Sequence, residues 1–341
     1  MQDRISYIAF EDGLGGFVPR EAGFVCEKKF GDCKDMANLI HVMLEMANIK
    51  SYRTWIGTRS IPYSYTDVPT PMADNHMIAT YLDKNDKAWF LDATGKNASI
   101  DFYTSMIQGK EAMLGISDKE HRIIKVPEMP KEKNYSYDSI TLKLDNGTIS
   151  GWGKISVTGY PKHSLARGMS LINQEKQCKF MKEFLEKGNN KFMVDSVIYS
   201  DLGREKPLEI SYRYKLTDYV LVNKDEIYLN LNLEKSLKNL LQNDPKRVVP
   251  IEFTYKETNH NIVKVLIPEG YKVTYVPPAV EIKNDLAGYT VKYKQEEKYI
   301  ALEYDYYLNT LLLTQDKFTE WNAVIKKMIS AGNESIILKK K

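Results

Sequence analysis

An α+β fold is what this sequence predicts, with an early mixed segment followed by two β-rich modules. Three observations carry the prediction. Apolar residues recur at helical spacing just after Cys33. Two short alternating runs flank Lys84-Asn85-Asp86, a hairpin signal. From about residue 127 onward the pattern is mainly period-two alternation broken by turn residues, and the 23 tyrosines suit half-exposed strands. A chain of 341 residues is long enough for two or three separate cores. The boundaries are read at 1–126, 127–245 and 246–341.

The elements follow in order. "DCKDMANLIHVMLEMANIK" places Met36, Leu39, Ile40, Met43, Leu44 and Ala47 on one apolar helical stripe. "SYRTWIGTR" reads as a strand, and "SIPYSYTDVPTPMAD" as a loop that would shape a substrate site. "NHMIATYLD" and "KAWFLDAT" are the hairpin strands. Two prolines and a loss of periodicity in "PEMPKEKNYSYDS" mark the first boundary. Strands then surround one long helix near 164–187, whose apolar stripe includes Cys178, Met181 and Leu185. The third segment alternates strands and turns and closes with a helix packed through Phe318, Trp321, Ile325 and Met328. The tail "LKKK" reads as a solvated end. "GLGG" near residue 13 lacks the Lys-Ser/Thr of a phosphate loop.

Composition excludes several functions. Forty-eight basic and 45 acidic residues leave a net charge of +3, with no clustered basic surface for nucleic acid. No apolar run reaches the roughly 18 residues needed to cross a membrane, and "MQDRISYIAF" lacks the apolar centre of a signal peptide. Three cysteines encode no disulfide framework. Cys26, Cys33 and His41 match no zinc spacing. Neither a metal nor a cofactor is expected.

The chemistry centres on Cys33. A thiol is mostly protonated at neutral pH, and only the thiolate attacks. A helix N-terminus presents unpaired N–H groups and about half a positive charge, which favours the anion. Asp32 is a suitable N-cap, so Cys33 would take the first helical position, its own N–H free to stabilise an oxyanion. Position alone fits equally well a small residue that merely starts a helix. A nucleophilic cysteine also needs a base and a group that orients it. Of five histidines, His41 lies two turns along the same helix and cannot reach the thiol. His121, His163 and His260 stand in charged or turn-like contexts that read as solvent-facing. His76 opens a strand, and Asp92 ends the next, where an acid needs a partner. With a three-residue turn, Asp83 faces Lys87 and Ile78 faces Asp92, which puts His76 and Asp92 on one face. A two-residue turn would separate them. A surface histidine beside a strand-end aspartate is the plainer alternative.

Taken together, "GDCKDMANLI", "DNHMIA" and "FLDAT" resemble the core of the transglutaminase-like superfamily, with its papain-like helix packed on an antiparallel sheet. The flanking "YIAFEDGLGGFVPREAGFVCEKKFGDCKD" and "SMIQGKEAML" are similar to a subgroup of multidomain bacterial envelope proteins. The likeness covers residues 2 to about 115 well and the β-rich remainder loosely. It implies Cys33 as nucleophile, His76 as general base and acid, and Asp92 as the orienting carboxylate. It leaves Cys26 structural and makes Gln2 a candidate oxyanion donor on an upstream helix. It further implies thioester chemistry on amide bonds of a peptide or protein, cell-wall peptide included, with hydrolysis favoured over crosslinking. The location it implies is the periplasm or cell envelope, with the export signal outside this sequence. A non-catalytic envelope scaffold that retains the same core is the alternative, motivated by the large β-rich portion.

Overall fold

The computed structural model describes residues 1–10, 12–95, 99–145, 147–200, 202–242, 244 and 246–341. It is an α+β protein divided into two compact units, Met1–Met129 and Pro130–Lys341.

The first unit starts with a two-residue strand β1 (Ser6–Tyr7), helix α1 (Ala22–Lys28) and strand β2 (Phe30–Gly31), which pairs in parallel with β1. Helix α2 (Cys33–Met46) follows, then strands β3 (Ser51–Ile56), β4 (His76–Leu82), β5 (Ala88–Leu91), β6 (Glu111–Gly115) and β7 (His121–Lys125). These five form an antiparallel sheet in the order β5-β4-β3-β6-β7. One apolar cluster gathers Tyr52, Ile56, Ile78, Phe90, Ala112 and Leu114 from its strands. A second joins Met36 and Leu39 of α2 to Ile5, Ala22, Val25 and Ala93.

Helix α2 departs from the simple amphipathic pattern. Met36 and Leu39 are buried, but Met43 and Met46 are 54% and 80% exposed, so the apolar stripe stops being used after its first half. The helix also buries Lys34, Asp35, Asn38 and His41. Such polar burial is tolerable only with partners, and each has one. Asn38 accepts from Arg53 Nε (2.8 Å) and donates to the Arg20 carbonyl (3.0 Å), while His41 Nδ1 lies 2.9 Å from Ser51 Oγ. The helix therefore docks on the sheet partly through hydrogen bonds that periodicity does not reveal.

The second unit contains β8 (Tyr135–Asp145), β9 (Thr148–Val157), α3 (Gly159–Ser170), α4 (Gln174–Phe184), β10 (Phe192–Tyr199) and β11 (Leu208–Leu216). After these come β12 (Leu221–Asn223), β13 (Glu226–Leu229), β14 (Ile251–Glu252), β15 (Glu257–Leu266), β16 (Tyr271–Tyr275) and β17 (Val280–Lys283). The chain ends with β18 (Ala287–Gln295), β19 (Tyr299–Leu308), β20 (Leu312–Leu313), α5 (Phe318–Gly332) and β21 (Ile336–Lys340). An eight-stranded sheet runs β10-β11-β9-β8-β15-β19-β18-β17. Its one parallel pair, β8 with β15, joins strands from either side of residue 245. The stretches 127–245 and 246–341, expected as separate modules, thus share one sheet and one continuous apolar cluster. Turn composition near "QNDPKRVV" suggested a domain boundary, but a long-range parallel pairing leaves no local signal.

Two further expectations change. The single helix near 164–187 is two helices, because Asn173 caps a new start by accepting from the Lys176 N–H (3.0 Å). On α4 Met181 and Leu185 are buried, whereas Cys178 is exposed rather than in the core. Helix α5 buries Trp321, Ile325 and Met328 completely, but it does not end the chain. The tail after it is strand β21, with Ile336 and Leu338 fully buried between β13 and β16.

Candidate active site

Cys33 is the first residue of α2 and is half-buried. Its position is fixed from both sides. Asp32 caps the helix by accepting from the Asp35 N–H, and the Asp35 carboxylate accepts in return from the Asp32 N–H at 3.0 Å, a capping box built from two aspartates. Such a cap contributes about 1 kcal/mol. Asp35 is also clamped by Arg20, through its backbone N–H (2.7 Å) and Nε (2.9 Å). Burial would push the Asp35 carboxyl up, but these bonds and the guanidinium charge hold it below the ordinary range. Arg20 itself lies 5.0 Å from the Phe30 ring centre. On the other side Lys34 bonds both Asp32 and the Phe10 carbonyl (3.1 Å).

His76 is the first residue of β4, 7% exposed, and pairs across the sheet with Ile56. The β4–β5 turn holds three residues, closed by the Asp83 N–H to the Lys87 carbonyl at 3.0 Å. The register Ala79 with Leu91 and Thr80 with Phe90 continues to place Asp92 beside Ile78, one pleat from His76. Accordingly His76 Nε2 lies 3.0 Å from Asp92 Oδ2. With Nε2 committed there, Nδ1 is the ring nitrogen left for a second partner, and Cys33 is near enough to the ring to help hold its proton.

Asp92 is fully engaged. Its Oδ1 accepts from the Thr94 N–H (3.0 Å) and hydroxyl (2.6 Å), and its Oδ2 also accepts from the Thr104 hydroxyl (2.7 Å). Burial favours the protonated acid, yet the His76 bond and charge and the two threonines outweigh it and hold the carboxyl below its usual value. Burial likewise favours neutral His76. The hydrogen bonds and charges of Asp92 and Cys33 win, and the imidazole is pushed up to about 10. A thiol, an imidazole and a carboxylate in series can take a proton off sulfur and keep the resulting imidazolium in place.

The structure brings Cys33, His76 and Asp92 together. For Gln2 it shows a half-buried residue whose buried Oε1 has no hydrogen-bond partner among the described residues. Among the remaining histidines, His121 is exposed, whereas His163 and His260 are half-buried. Cys26 is exposed. Sequence reasoning missed Arg20, Lys34 and Thr104. Arg20 lies fifteen residues from its partner, and Thr104 twelve residues beyond Asp92, with no motif linking either pair.

The loop between β3 and β4 is tied down beside His76. At its base a Cβ on Gly57 would stand 2.3 Å from the Ala73 carbonyl oxygen, so the close approach requires glycine. Asn75 Oδ1 accepts from the Thr58 N–H (2.9 Å), and Lys110 Nζ reaches the Ile61 and Tyr63 carbonyls. The buried Tyr65 donates its hydroxyl to Asp74 Oδ2 at 3.2 Å. A cavity of about 210 Å³ is lined here by Gly57, Tyr63, Tyr65, Lys110, Glu111 and Lys125, among others. Burial pushes Asp74 up to about 6 against an ordinary 3.8, despite the Tyr65 bond. A raised carboxyl stabilises the fold below pH 3.8 and loses that contribution as pH rises through 6. Asp74→Asn should therefore raise the melting temperature at pH 7 and leave it unchanged at pH 3.5, as thermal melts across pH will check.

Known proteins offer limited company. Residues 225–338 match a family described as a domain of unknown function with a solved structure, DUF3858. No curated protein matches the chain. Among solved structures, it is similar to one from Parabacteroides distasonis that carries only a provisional description as a protease. That likeness covers 99% of this chain and 49% of the other, at 12% identity and a TM-score of 0.54. The two share a fold, and this chain spans about half the length of that protein.

Proposed function

We propose that the chain is a thiol-dependent acyl-transfer enzyme of the transglutaminase-like type, acting on amide bonds of peptides or proteins as a cysteine protease or amidase. The observation that carries this reading is His76 bound to Asp92 at 3.0 Å, with Cys33 at a helix N-terminus near enough to act on the ring. The proton of the Cys33 thiol rests on His76 as an imidazolium, and the thiolate it leaves attacks the carbonyl carbon. The tetrahedral oxyanion is met by N–H groups at the start of α2, among them that of Cys33. As the intermediate collapses, His76 gives its proton to the leaving amine and a thioester on Cys33 remains. Water, deprotonated by His76, then releases the acid and restores the thiol. Hydrolysis is preferred to transfer onto an amine, as the resemblance to bacterial envelope proteins implies. The likeness to a provisionally described protease supports the same class.

Iodoacetamide labelling followed by mass spectrometry tests the relay without a known substrate. Cys33 should be alkylated at neutral pH faster than Cys26 and Cys178, although both of those are exposed and Cys33 is half-buried. In His76→Ala that advantage should disappear. Equal labelling of all three thiols in the parent protein would refute activation.

A further inference from the structure

We propose that His260, Glu303 and Asp305 form a divalent-cation site suited to Zn²⁺, on the eight-stranded sheet of the second unit. His260 on β15 and Asp305 on β19 are direct cross-strand partners, and Glu303 lies two residues along β19, on the same face. Their candidate ligand atoms all lie within 4.8 Å of one another. Two donors each about 2.1 Å from one ion are at most about 4.2 Å apart, so side-chain adjustment alone closes the set around a cation. An imidazole with two carboxylates is a donor set that borderline cations accept, with water completing the coordination.

Two observations separate this cluster from an ordinary surface ion pair. First, one carboxylate is enough to hold an imidazole, and Asp305 Oδ1 already lies 2.6 Å from His260 Nδ1. Glu303 adds a second negative charge to the same spot, and among the described residues it forms no ion pair, although Lys292 faces it across β18. Secondly, the imidazole is held from a third strand. Tyr137 of β8 stacks on it at 5.5 Å between ring centres and 15° between planes, which fixes the ring in the way supporting groups fix metal-bound histidines. A bound ion would tie β15 to β19 beside the parallel junction with β8. The ligands come from strands 43 and 45 residues apart (260 to 303 and 260 to 305), so no spacing motif announces them.

The test is calorimetric titration of Zn²⁺ into the metal-stripped full chain with its thiols blocked by N-ethylmaleimide. The parent should bind one equivalent, and His260→Ala and Glu303→Gln should each weaken binding by about 10–100-fold. Zn²⁺ should raise the melting temperature of the parent and not of the variants. Glu303→Gln alters an exposed side chain, so its unliganded melt should match the parent and show that lost binding is not lost folding. Affinity unchanged in either variant, or no binding by the parent at 100-fold molar excess, would overturn the site.

Discussion

Cys33→Ala is expected to lower amide hydrolysis by at least ~10⁴-fold, measured as kcat/KM on a peptide selected from a casein digest or a peptide library. The nucleophile is lost, and no other thiol stands beside His76. His76→Ala should cost about as much, and the double variant no more than either single one, because the groups act as a unit. In the parent, activity should fall on the alkaline side near pH 10, where His76 loses the proton it must give to the leaving amine. Additive losses in the double variant would mean that the two residues do not share a step. The scaffold reading, in which the core is retained without turnover, predicts no Cys33-dependent cleavage in the first place.

The second large effect is on stability. Asp92→Ala should destabilise the first unit by about 3–5 kcal/mol, the range for breaking a buried charge pair by removing one partner. It strands His76 and removes the acceptor for Thr94 and Thr104 at once. The pH dependence follows from the two shifts. His76 is raised above 6.5, so its contribution is complete below 6.5 and is lost as pH rises through about 10. Asp92 is lowered below 3.8, so its contribution is complete above 3.8 and is lost as pH falls through its folded value. The deficit of Asp92→Ala should therefore be greatest between about pH 4 and 6.5 and shrink toward pH 10. Denaturant unfolding across that range will check it. A deficit that stays constant with pH would mean that the ion pair contributes nothing to the fold.

Local sequence was a good guide where local rules govern. Asp32 as a cap, the three-residue turn at Lys84-Asn85-Asp86, and the buried stripe of Trp321, Ile325 and Met328 all follow from spacing within a few residues. Distant pairing was not legible. Nothing in the sequence links Arg20 to Asp35, Thr104 to Asp92, or β8 to β15, since each depends on chain segments brought together only by the whole fold. Helix α2 shows the same limit from another side. Its apolar stripe was read correctly as a pattern, but Arg20, Arg53 and Ser51 let its polar face be buried as well, and Met43 and Met46 were left exposed. Cys178 shares its stripe with Met181 and Leu185, yet only those two reach the core, because helical periodicity fixes a face but not how far the core extends across it.

The most direct test of the proposed chemistry is intact-mass spectrometry of the protein quenched in acid during turnover of an activated peptide ester or amide. The relay predicts an acyl adduct on the peptide containing Cys33, released by hydroxylamine as a thioester and missing from Cys33→Ala. Turnover that continues in Cys33→Ala, or an adduct found only on another residue, would contradict it.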